Sequence, residues 1–520
     1  MSHLIVHQSG SPILEYNQPA LLSSLLTKIG FAPDMPCGGK QRCLKCKVIA
    51  TGALSPLSAR EEQLLTEDEK KRGIRFACMA TALGDVEVTL LNQTAHEQIM
   101  TDGSLGSITP EPWGKQYGAA IDIGTTTVAA YLYRLDTPRP LQTSAAKNPQ
   151  AAFGADVISR IERSLAGDAP ALAEAIRQCL RERLQELCGR QNLPLSALDS
   201  LVITGNTAML YLLCEQSPAS IATAPFEQDR YFGEFLTGAD IGLPELTAQI
   251  YLSRCISAYV GGDITTALLA SGVAQSENPS LLVDIGTNGE MVLHANGKLL
   301  GCSTAAGPAF EGAGIAMGMP AADGAISRVF ATDGGIGCTV IGDVPARGIC
   351  GSGIVDALAV MLEYGIVDET GCILEEDHAF TAFVEDYNGE PAFRLPDTAV
   401  FITQKDIRAI QLGKSAVCAG IETLIQTAGL HNADIAALKI AGGFGSFLNV
   451  QSAERIGLIP AGFAAKATAI GNAAAMGASM ALLSRSALDE SEQLARRTET
   501  VELSTSPTFM DAYVNGMLFP

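Results

Sequence analysis

The sequence predicts two modules, a small α+β module at residues 1–93 and a larger α/β module after it. Three observations carry this reading. Cys37, Cys43, Cys46 and Cys78 cluster early in the chain, spaced C-x5-C-x2-C with a distant fourth thiol. The pattern of apolar strand, Asp, Ile, Gly and Thr occurs at Asp122 and again at Asp284, 162 residues later. Between the modules, residues 92–115 lack periodicity and carry Gly, Ser and Pro, the composition of a linker. Charge divides at the same place. Residues 1–93 hold 10 Lys+Arg against 9 Asp+Glu, a balance of +1, so the remaining 427 residues carry −22 to give the chain's net −21. With 47% hydrophobic and 18% charged residues, the chain is not disordered, collagen-like or coiled-coil. Its acidity argues against nucleic acid and anionic membrane as partners.

The small module can be read element by element. Leu21, Leu22, Leu25, Leu26 and Ile29 form one helical face that ends at Gly30. KCKVIATG reads as a strand into a turn, and DVEVTLL as a closing strand. Residues 60–75 read as a short amphipathic helix with surface charges. Three of the four cysteines thus sit on one loop after a helix.

An iron–sulfur cluster needs four thiolates and a loop that comes close to its sulfides, which suits Gly38 and Gly39. The spacing resembles ferredoxins of the plant, vertebrate and hydroxylating types and points to a [2Fe-2S] cluster on Cys37, Cys43, Cys46 and Cys78. Structural zinc is the competing reading, against which Cys78 lacks a C-x2-C partner. Lys40, Arg42, Lys45 and Lys47 surround the loop, either as ordinary solvated charges or as a docking face for an acidic partner. The other nine cysteines lie in apolar contexts, as small core residues in a reducing cytoplasm do. The first ten residues lack a basic n-region and an apolar h-region, so a cytoplasmic location is expected. Ala467 to Ser484 lacks charge but is rich in Ala and Gly, and is expected as a buried helix rather than a membrane span.

In the larger module, AAIDIGTTTVAAYLY reads as a hairpin whose turn offers hydroxyls and backbone N–H groups to a phosphate. Asp122 is placed to hold Mg2+ through water, with Gly124, Thr125, Thr126 and Thr127 at the phosphate. LLVDIGTNGEMVL repeats the pattern with Asp284, Gly286, Thr287 and Asn288. The pair resembles the phosphate-1 and phosphate-2 loops of the acetate and sugar kinase/Hsp70/actin superfamily, and three more segments follow that superfamily's order. CISAYVGGDITTALLASG resembles its first connecting helix, with Asp263 near the start. IAGGFGSFLN resembles its adenosine motif, with Gly442, Gly443 and Gly445. AIGNAAAMGASMALL resembles its second connecting helix. The resemblance implies a two-lobed ribonuclease H-like ATPase fold that binds ATP and Mg2+. Its expected boundaries are a linker at 94–115, lobe I at 116–258, lobe II at 259–455, and a segment at 456–520 that returns to lobe I. Asn206 is expected either as a helix N-cap or as a nucleotide contact, and Lys414 either along the adenosine or at the surface. Cys302 and Cys350 read as loop packing, and Trp113 as a pin at the linker's end.

The combination is more specific than either half. A ferredoxin-type (β-grasp) N-terminus on this ATPase fold resembles the reductive activators of corrinoid proteins, including those of O-demethylase systems. The likeness runs through LSAREEQLL, IDIGTTTVA, TGNTAML, YVGGD, DIGTNGE, TQKDIRAIQLGKSA, AGGFG and FMDAYVNGMLFP. It implies an enzyme that returns inactive Co(II) to Co(I), with electron transfer from the cluster coupled to ATP hydrolysis. A plant-type cluster sits near about −400 mV, so a cobalt couple ~200 mV lower makes the transfer uphill by roughly 4.6 kcal/mol. Asp263, with Glu290, is the candidate for positioning the hydrolytic water. The implied partners are a corrinoid protein of a methyltransferase system, a low-potential donor such as ferredoxin or flavodoxin, and a second copy in a homodimer. An additional domain found between linker and ATPase core in some relatives is expected to be absent, because the phosphate-1 strand follows Trp113 within ten residues. Two other readings share the motifs. One is an ATP-dependent electron donor to another metalloenzyme, like the activators of 2-hydroxyacyl-CoA dehydratases; the other is a redox-sensing small-molecule kinase.

Overall fold

Alternation starts the fold at the first strand. In β1 (Ser2–Val6), Leu4 and Val6 point into a core while His3 and Ile5 are half-buried. The computed structural model describes residues 2–7, 13–17, 19–29, 35, 39, 41, 44–91 and 108–520. Two compact units result, residues 1–95 with 147–176, and 96–146 with 177–520.

The N-terminal unit contains β2 (Ile13–Tyr16), β3 (Ala20–Leu21), α1 (Leu22–Lys28), β4 (Lys47–Leu54), α2 (Ala59–Leu64), α3 (Glu67–Lys71), β5 (Ile74–Phe76) and β6 (Thr81–Leu90). The strand order is β2-β1-β6-β4-β5, with β1 and β6 parallel at the centre and their outer neighbours antiparallel to them. This is the β-grasp arrangement. Leu22, Leu25 and Leu26 of α1 pack into the same core as Val48, Phe76, Val86 and Val88. The helix expected at 60–75 divides into α2, α3 and β5. Thr66 and Glu69 form a second capping box that starts a new helix just after the extended Leu65. Glu61, fully buried, pairs with Arg75 at 3.0 Å and accepts a hydrogen bond from the Phe76 backbone at 3.3 Å. That pair ties α2 to the strand leading to Cys78.

The second unit is built on two sheets of matching design. The first combines β7 (Tyr117–Ile123), β8 (Thr127–Arg134), β9 (Pro140–Lys147), β10 (Leu198–Gly205), β11 (Glu234–Leu236) and β12 (Gln249–Leu252) in the order β11-β12-β10-β7-β8-β9. Helix α4 (Val157–Arg163) falls in the 147–176 segment grouped with the first unit, whereas the part of α5 (Ala169–Arg190) after residue 176 and helices α6 (Thr207–Leu213), α7 (Ala219–Ala222) and α8 (Gly262–Ser271) accompany this sheet in sequence. The second combines β13 (Ser280–Ile285), β14 (Gly289–Ala295) and β15 (Lys298–Thr304) with later strands. Between these lie β16 (Ala325–Thr332), β17 (Gly335–Val340), β18 (Gly348–Ile349), α9 (Gly351–Glu363), β19 (Val384–Tyr387), β20 (Glu390–Arg394), β21 (Phe401–Thr403) and α10 (Gln404–Thr427). Then follow β22 (Ala437–Ala441), α11 (Val450–Arg455), β23 (Ala467–Gly471), α12 (Ala473–Leu483), α13 (Arg485–Arg497), β24 (Thr498–Thr500) and α14 (Pro507–Asn515). The second order is β23-β22-β13-β14-β15-β24. In each sheet an antiparallel hairpin (β7–β8, β13–β14) lies beside a parallel strand (β10, β22) and then another (β12, β23).

In each half a helix follows the last of these strands, α8 after β12 and α12 after β23, and the two helices pack together. Their backbones nearly touch. A Cβ on Gly477 would lie 1.8 Å from the Thr266 carbonyl oxygen. The uncharged stretch 467–484 is therefore a strand and a helix rather than one helix. Gly471 (φ +69°) turns the chain and the Asn472 side chain caps α12 by accepting from the Ala475 N–H. Trp113 donates to the Ala481 carbonyl at 3.0 Å and meets the Phe235 ring edge-on, which fixes the end of the linker on α12.

One boundary needs correcting. Of the 456–520 segment, α12 packs on β7 and β10 of the first sheet, and Arg485 and Leu488 of α13 join the same side. β24 instead completes the second sheet beside β15, and α14 packs on α10, because the edge of β15 and the polar face of α10 supply the hydrogen bonds this segment needs.

Candidate functional site

Both expected hairpins close with a tight turn. Gly124 N–H donates to the Thr127 carbonyl and Gly286 N–H to the Asn288 carbonyl, each at 2.9 Å. The turns sit at the same end of the two sheets' first strands, just after Asp122 and Asp284. Side chains at the turns are knitted to neighbouring elements. Asn206 is the N-cap of α6, accepting from the Met209 N–H at 3.0 Å, and its amide donates to the Thr125 hydroxyl at 3.1 Å. The two readings of Asn206 are thus combined, since the cap places the amide at the phosphate-1 turn. Gly261 stays free of a side chain because a Cβ there would lie 2.4 Å from the Asn206 Cα.

Four acids gather between the hairpins. Asp284 and Glu290 are direct cross-strand partners of β13 and β14. Like charges so placed oppose sheet stability, which marks the pair as kept for another reason. All four are half-buried. Burial first, then the fields of Asp122 and Glu311, push Asp284 up to about 7. Burial, then Asp122 and Asp284, push Asp263 up to about 8. Asp122 is raised by burial to about 6, opposed by a 3.1 Å hydrogen bond from the Asn472 amide. Glu290 is raised by burial and by Asp263 and Asp284, opposed by a hydrogen bond from Asn288. No cation is among the causes of these shifts.

Such a cluster fits a divalent cation. Among the described residues no three carboxylate, thiol or imidazole groups converge on one ion. Carboxylates beside hydroxyl-bearing turns suit Mg2+, which keeps several waters and takes phosphate oxygens as its other ligands.

Two residues absent from the sequence reading complete the cleft. Glu311 accepts from the Thr126 hydroxyl at 2.6 Å and from the Thr287 hydroxyl at 3.1 Å, one oxygen for each hairpin. It hides in GPAFEGAG, a Gly-rich turn with no periodicity to mark it. Asn472 had a signal: it is the one polar residue before an Ala-rich helical run, a capping position.

The glycine motif after β22 lies close to the acids at one point. A Cβ on Gly442 (φ +91°) would fall 2.6 Å from Asp284 Oδ1. Gly443 has open space around it, and a Cβ on Gly445 would press on the Ile440 side chain at 2.7 Å. Between them Phe444 stacks on Phe310 with ring centroids 5.3 Å apart.

Lys414 belongs elsewhere. Its ammonium donates to the carbonyls of Gly516 and Leu518, each at 2.7 Å, and lies 4.6 Å from the centre of the Phe519 ring. Burial pulls it down to about 8. Gln411, one turn earlier, donates to the Met517 carbonyl at 2.7 Å. The expected adenosine lysine is thus an anchor for the residues after α14. It lines a cavity of about 1360 Å³ between α9, α10, α11 and α14 that none of the four acids lines.

In the N-terminal unit, Cys37 and Cys43 lie outside the described residues. Cys46, just before β4, and Cys78, just after β5, are both buried with their sulfurs 3.3 Å apart. A disulfide requires about 2.05 Å, whereas two thiolates on one tetrahedral ion at about 2.3 Å stand roughly 3.8 Å apart. Hydrogen bonding with Cys78 pulls the Cys46 thiol down to about 7 against the effect of burial. The two described thiols are hydrogen-bonded neighbours and not a disulfide. Cys302 is buried inside the second sheet's core and Cys350 sits at the N-cap of α9, as packing residues.

Comparison with known proteins agrees with this architecture. A family model described as the C-terminal domain of RACo, the ASKHA domain, matches residues 278–520, and one described as the RACo middle region matches 117–276. The second match begins at the phosphate-1 strand and covers the whole first sheet. The corrinoid activation enzyme RamQ of Eubacterium limosum is 35% identical over 420 residues, 78% of this chain and 70% of that protein. The [Co(II) methylated amine-specific corrinoid protein] reductase of Methanosarcina barkeri is 26% identical over 432 residues, 76% of each. A solved structure of a reductive activator for corrinoid, iron–sulfur protein matches with a TM-score of 0.73 and 28% identity, over 100% of this chain and 98% of that one. With a β-grasp unit, paired phosphate-type hairpins and these relatives, the chain belongs to the family of reductive activators of corrinoid proteins.

Proposed function

We propose that this protein reduces the inactive Co(II) form of a corrinoid protein to Co(I), drawing on ATP hydrolysis in the cleft between its two sheets. The observation that carries the reading is the meeting of both Gly-Thr hairpins around Asp122, Asp263, Asp284 and Glu290 within one unit. A cleft with four mutually repelling carboxylates and a row of hydroxyls has little use without a cation and an anion to bind. The names of the two curated relatives supply the client class.

Each residue then has a task. Thr125, Thr126, Thr127, Thr287 and Asn288 offer donors to the phosphates, with Gly124 and Gly286 allowing their close approach. Asp122 and Asp284 would hold Mg2+, which would supply charge neutralisation to the phosphates. Asp263, with Glu290 beside it, orients the attacking water. Gly442, Gly443 and Gly445 let the nucleoside lie on backbone. Asn206 holds the Thr125 turn in place.

Cys37, Cys43, Cys46 and Cys78 would hold a [2Fe-2S] cluster, which supplies a one-electron carrier at low potential when bound. The Glu61–Arg75 pair would hold the strand that leads to Cys78. A ferredoxin or flavodoxin is the proposed donor and a homodimer the proposed assembly. A cytoplasmic location is the proposed one. Among the described residues no helix is long and apolar enough to cross a membrane.

The test is anaerobic. Co(II) corrinoid protein, this protein and a low-potential reductant are mixed with and without Mg·ATP, and Co(I) is followed by its absorbance. ATP-dependent Co(I) formation is expected. Co(I) formation that ignores ATP, or none with a cognate partner, would sink the reading. Electron paramagnetic resonance of the reduced protein checks the cluster type.

A further inference from the structure

Glu311 bridges the two phosphate-type turns. Its two carboxylate oxygens take hydrogen bonds from Thr126 of one hairpin and Thr287 of the other, the same hydroxyls that face an incoming anion. It also lies against Gly286, where a Cβ would come within 3.3 Å of Oε1. A carboxylate and a phosphate oxygen accept from hydroxyls in the same way, so one site serves either but not both.

The segment carrying Glu311 is firmly held. Residues Pro308–Glu311 form a single tight turn ended by Gly312 in the left-handed region, φ +76°. Phe310 in that turn is buried and stacks on Phe444 of the glycine motif. The Phe310 carbonyl lies where a Cβ on Gly351 would clash at 1.7 Å, and the Phe310 ring is within 2.9 Å of a Cβ on Gly413. The turn therefore touches the phosphate end of the cleft through Glu311 and the nucleoside end through Phe310.

We infer that Glu311 is a positioning residue of the nucleotide site. In the nucleotide-free protein its carboxylate substitutes for a phosphate and holds the two hairpins together across the cleft. A bound triphosphate takes over Thr126 and Thr287, and the displaced carboxylate swings aside on its own side chain while the Phe310 turn stays in place. The inference rests on the proposed binding of ATP in this cleft. It adds that the site is occupied by the protein's own anion until ATP arrives, so the lobes are held closed by one of two competing acceptors.

The experiment uses the full-length holoenzyme and the magnesium complex of AMPPNP, titrated by calorimetry into wild type, Glu311→Gln and Glu311→Ala. The Gln variant is isosteric and keeps one acceptor oxygen; thermal melts establish that both variants fold. Removing the competing charge is expected to lower the Kd for Mg·AMPPNP about tenfold, and the KM for ATP in phosphate release should fall with it. A Kd equal to or above wild type in the folded variants overturns the inference. So does a loss of kcat with Kd and KM unchanged, which would place Glu311 in the chemical step. Wild-type protein that binds no Mg·AMPPNP would refute the proposed ATP site itself, a result distinct from either.

Discussion

The Thr126 hydroxyl donates to the Glu311 carboxylate at 2.6 Å across 185 residues of sequence, joining the turn of one hairpin to a loop of the other lobe. Because Glu311 also holds Thr287, the two phosphate-type turns are not independent binding loops but two ends of one hydrogen-bonded bridge. Any change at one turn is therefore felt at the other without passing through the sheets, and the acids between them share this frame.

The acid cluster makes stability depend on pH in a defined direction. Asp122, Asp263 and Asp284 titrate at about 6, 8 and 7 in the fold, above their ordinary value, so the folded state binds more protons than the unfolded chain between about pH 4 and 8. Stability then falls as pH rises through that window. The metal-free protein is expected to melt at a higher temperature near pH 5 than near pH 8. Millimolar Mg2+ should raise the melting temperature at pH 8, on the order of 2–5 °C, and have little effect at pH 5. Scanning calorimetry at the two pH values checks this, and an equal Mg2+ effect at both would refute it.

Asn472 does two jobs that substitution can separate. Its oxygen caps α12 and its amide donates to Asp122. Asn472→Ala loses both and should cost about 1–2 kcal/mol of stability. Asn472→Asp keeps the cap but sets a fifth carboxylate beside Asp122. It should melt near wild type yet shift the Mg2+ dependence of ATP hydrolysis. Denaturation and Mg2+ titration of phosphate release distinguish the two variants.

The crossing of α8 and α12 tolerates no side chain at Gly477. A Cβ there would meet the Thr266 carbonyl oxygen at 1.8 Å, and backbone cannot swing aside as a flexible side chain does. Gly477→Ala is expected to destabilise by about 3 kcal/mol or more, at the upper end of overpacking penalties. Gly477→Val should fail to give folded protein. Urea denaturation of the Ala variant, with Gly272→Ala at the exposed end of α8 as a comparison of φ strain without crowding, measures the difference.

Lys414 predicts a separation of stability from nucleotide binding. Lys414→Met leaves the Gly516 and Leu518 carbonyls without their donor, at a cost of about 1–3 kcal/mol, and should expose the segment around α14 to limited proteolysis. The affinity for Mg·AMPPNP should stay within about twofold of wild type. A large rise in Kd with normal protease resistance would restore Lys414 to the nucleotide.

The motifs legible in the sequence are those whose chemistry is local. A Gly-Thr turn after a buried strand is a phosphate-type hairpin wherever it folds, because its hydroxyls and N–H groups come from adjacent residues. Capping at Thr66 and Asn472 was equally local but was overlooked within stretches read as single helices. Lys414 stays ambiguous in sequence because one residue spacing suits a surface, a nucleotide or a buried partner alike. Only the position of α14 selects among them.

Sequence by itself determined the order of hairpins, connecting helices and glycine motif, the thiol set near the N-terminus, and the family. These follow from residue type and spacing along the chain. Tertiary structure alone decided that Asn472 meets Asp122 across 350 residues, that Glu311 bridges both turns, and that the last residues close over α10 rather than returning to the first sheet. Such contacts join segments far apart in the chain, whose approach is set by the packing of two sheets around α8 and α12. No local pattern of residues encodes that distance.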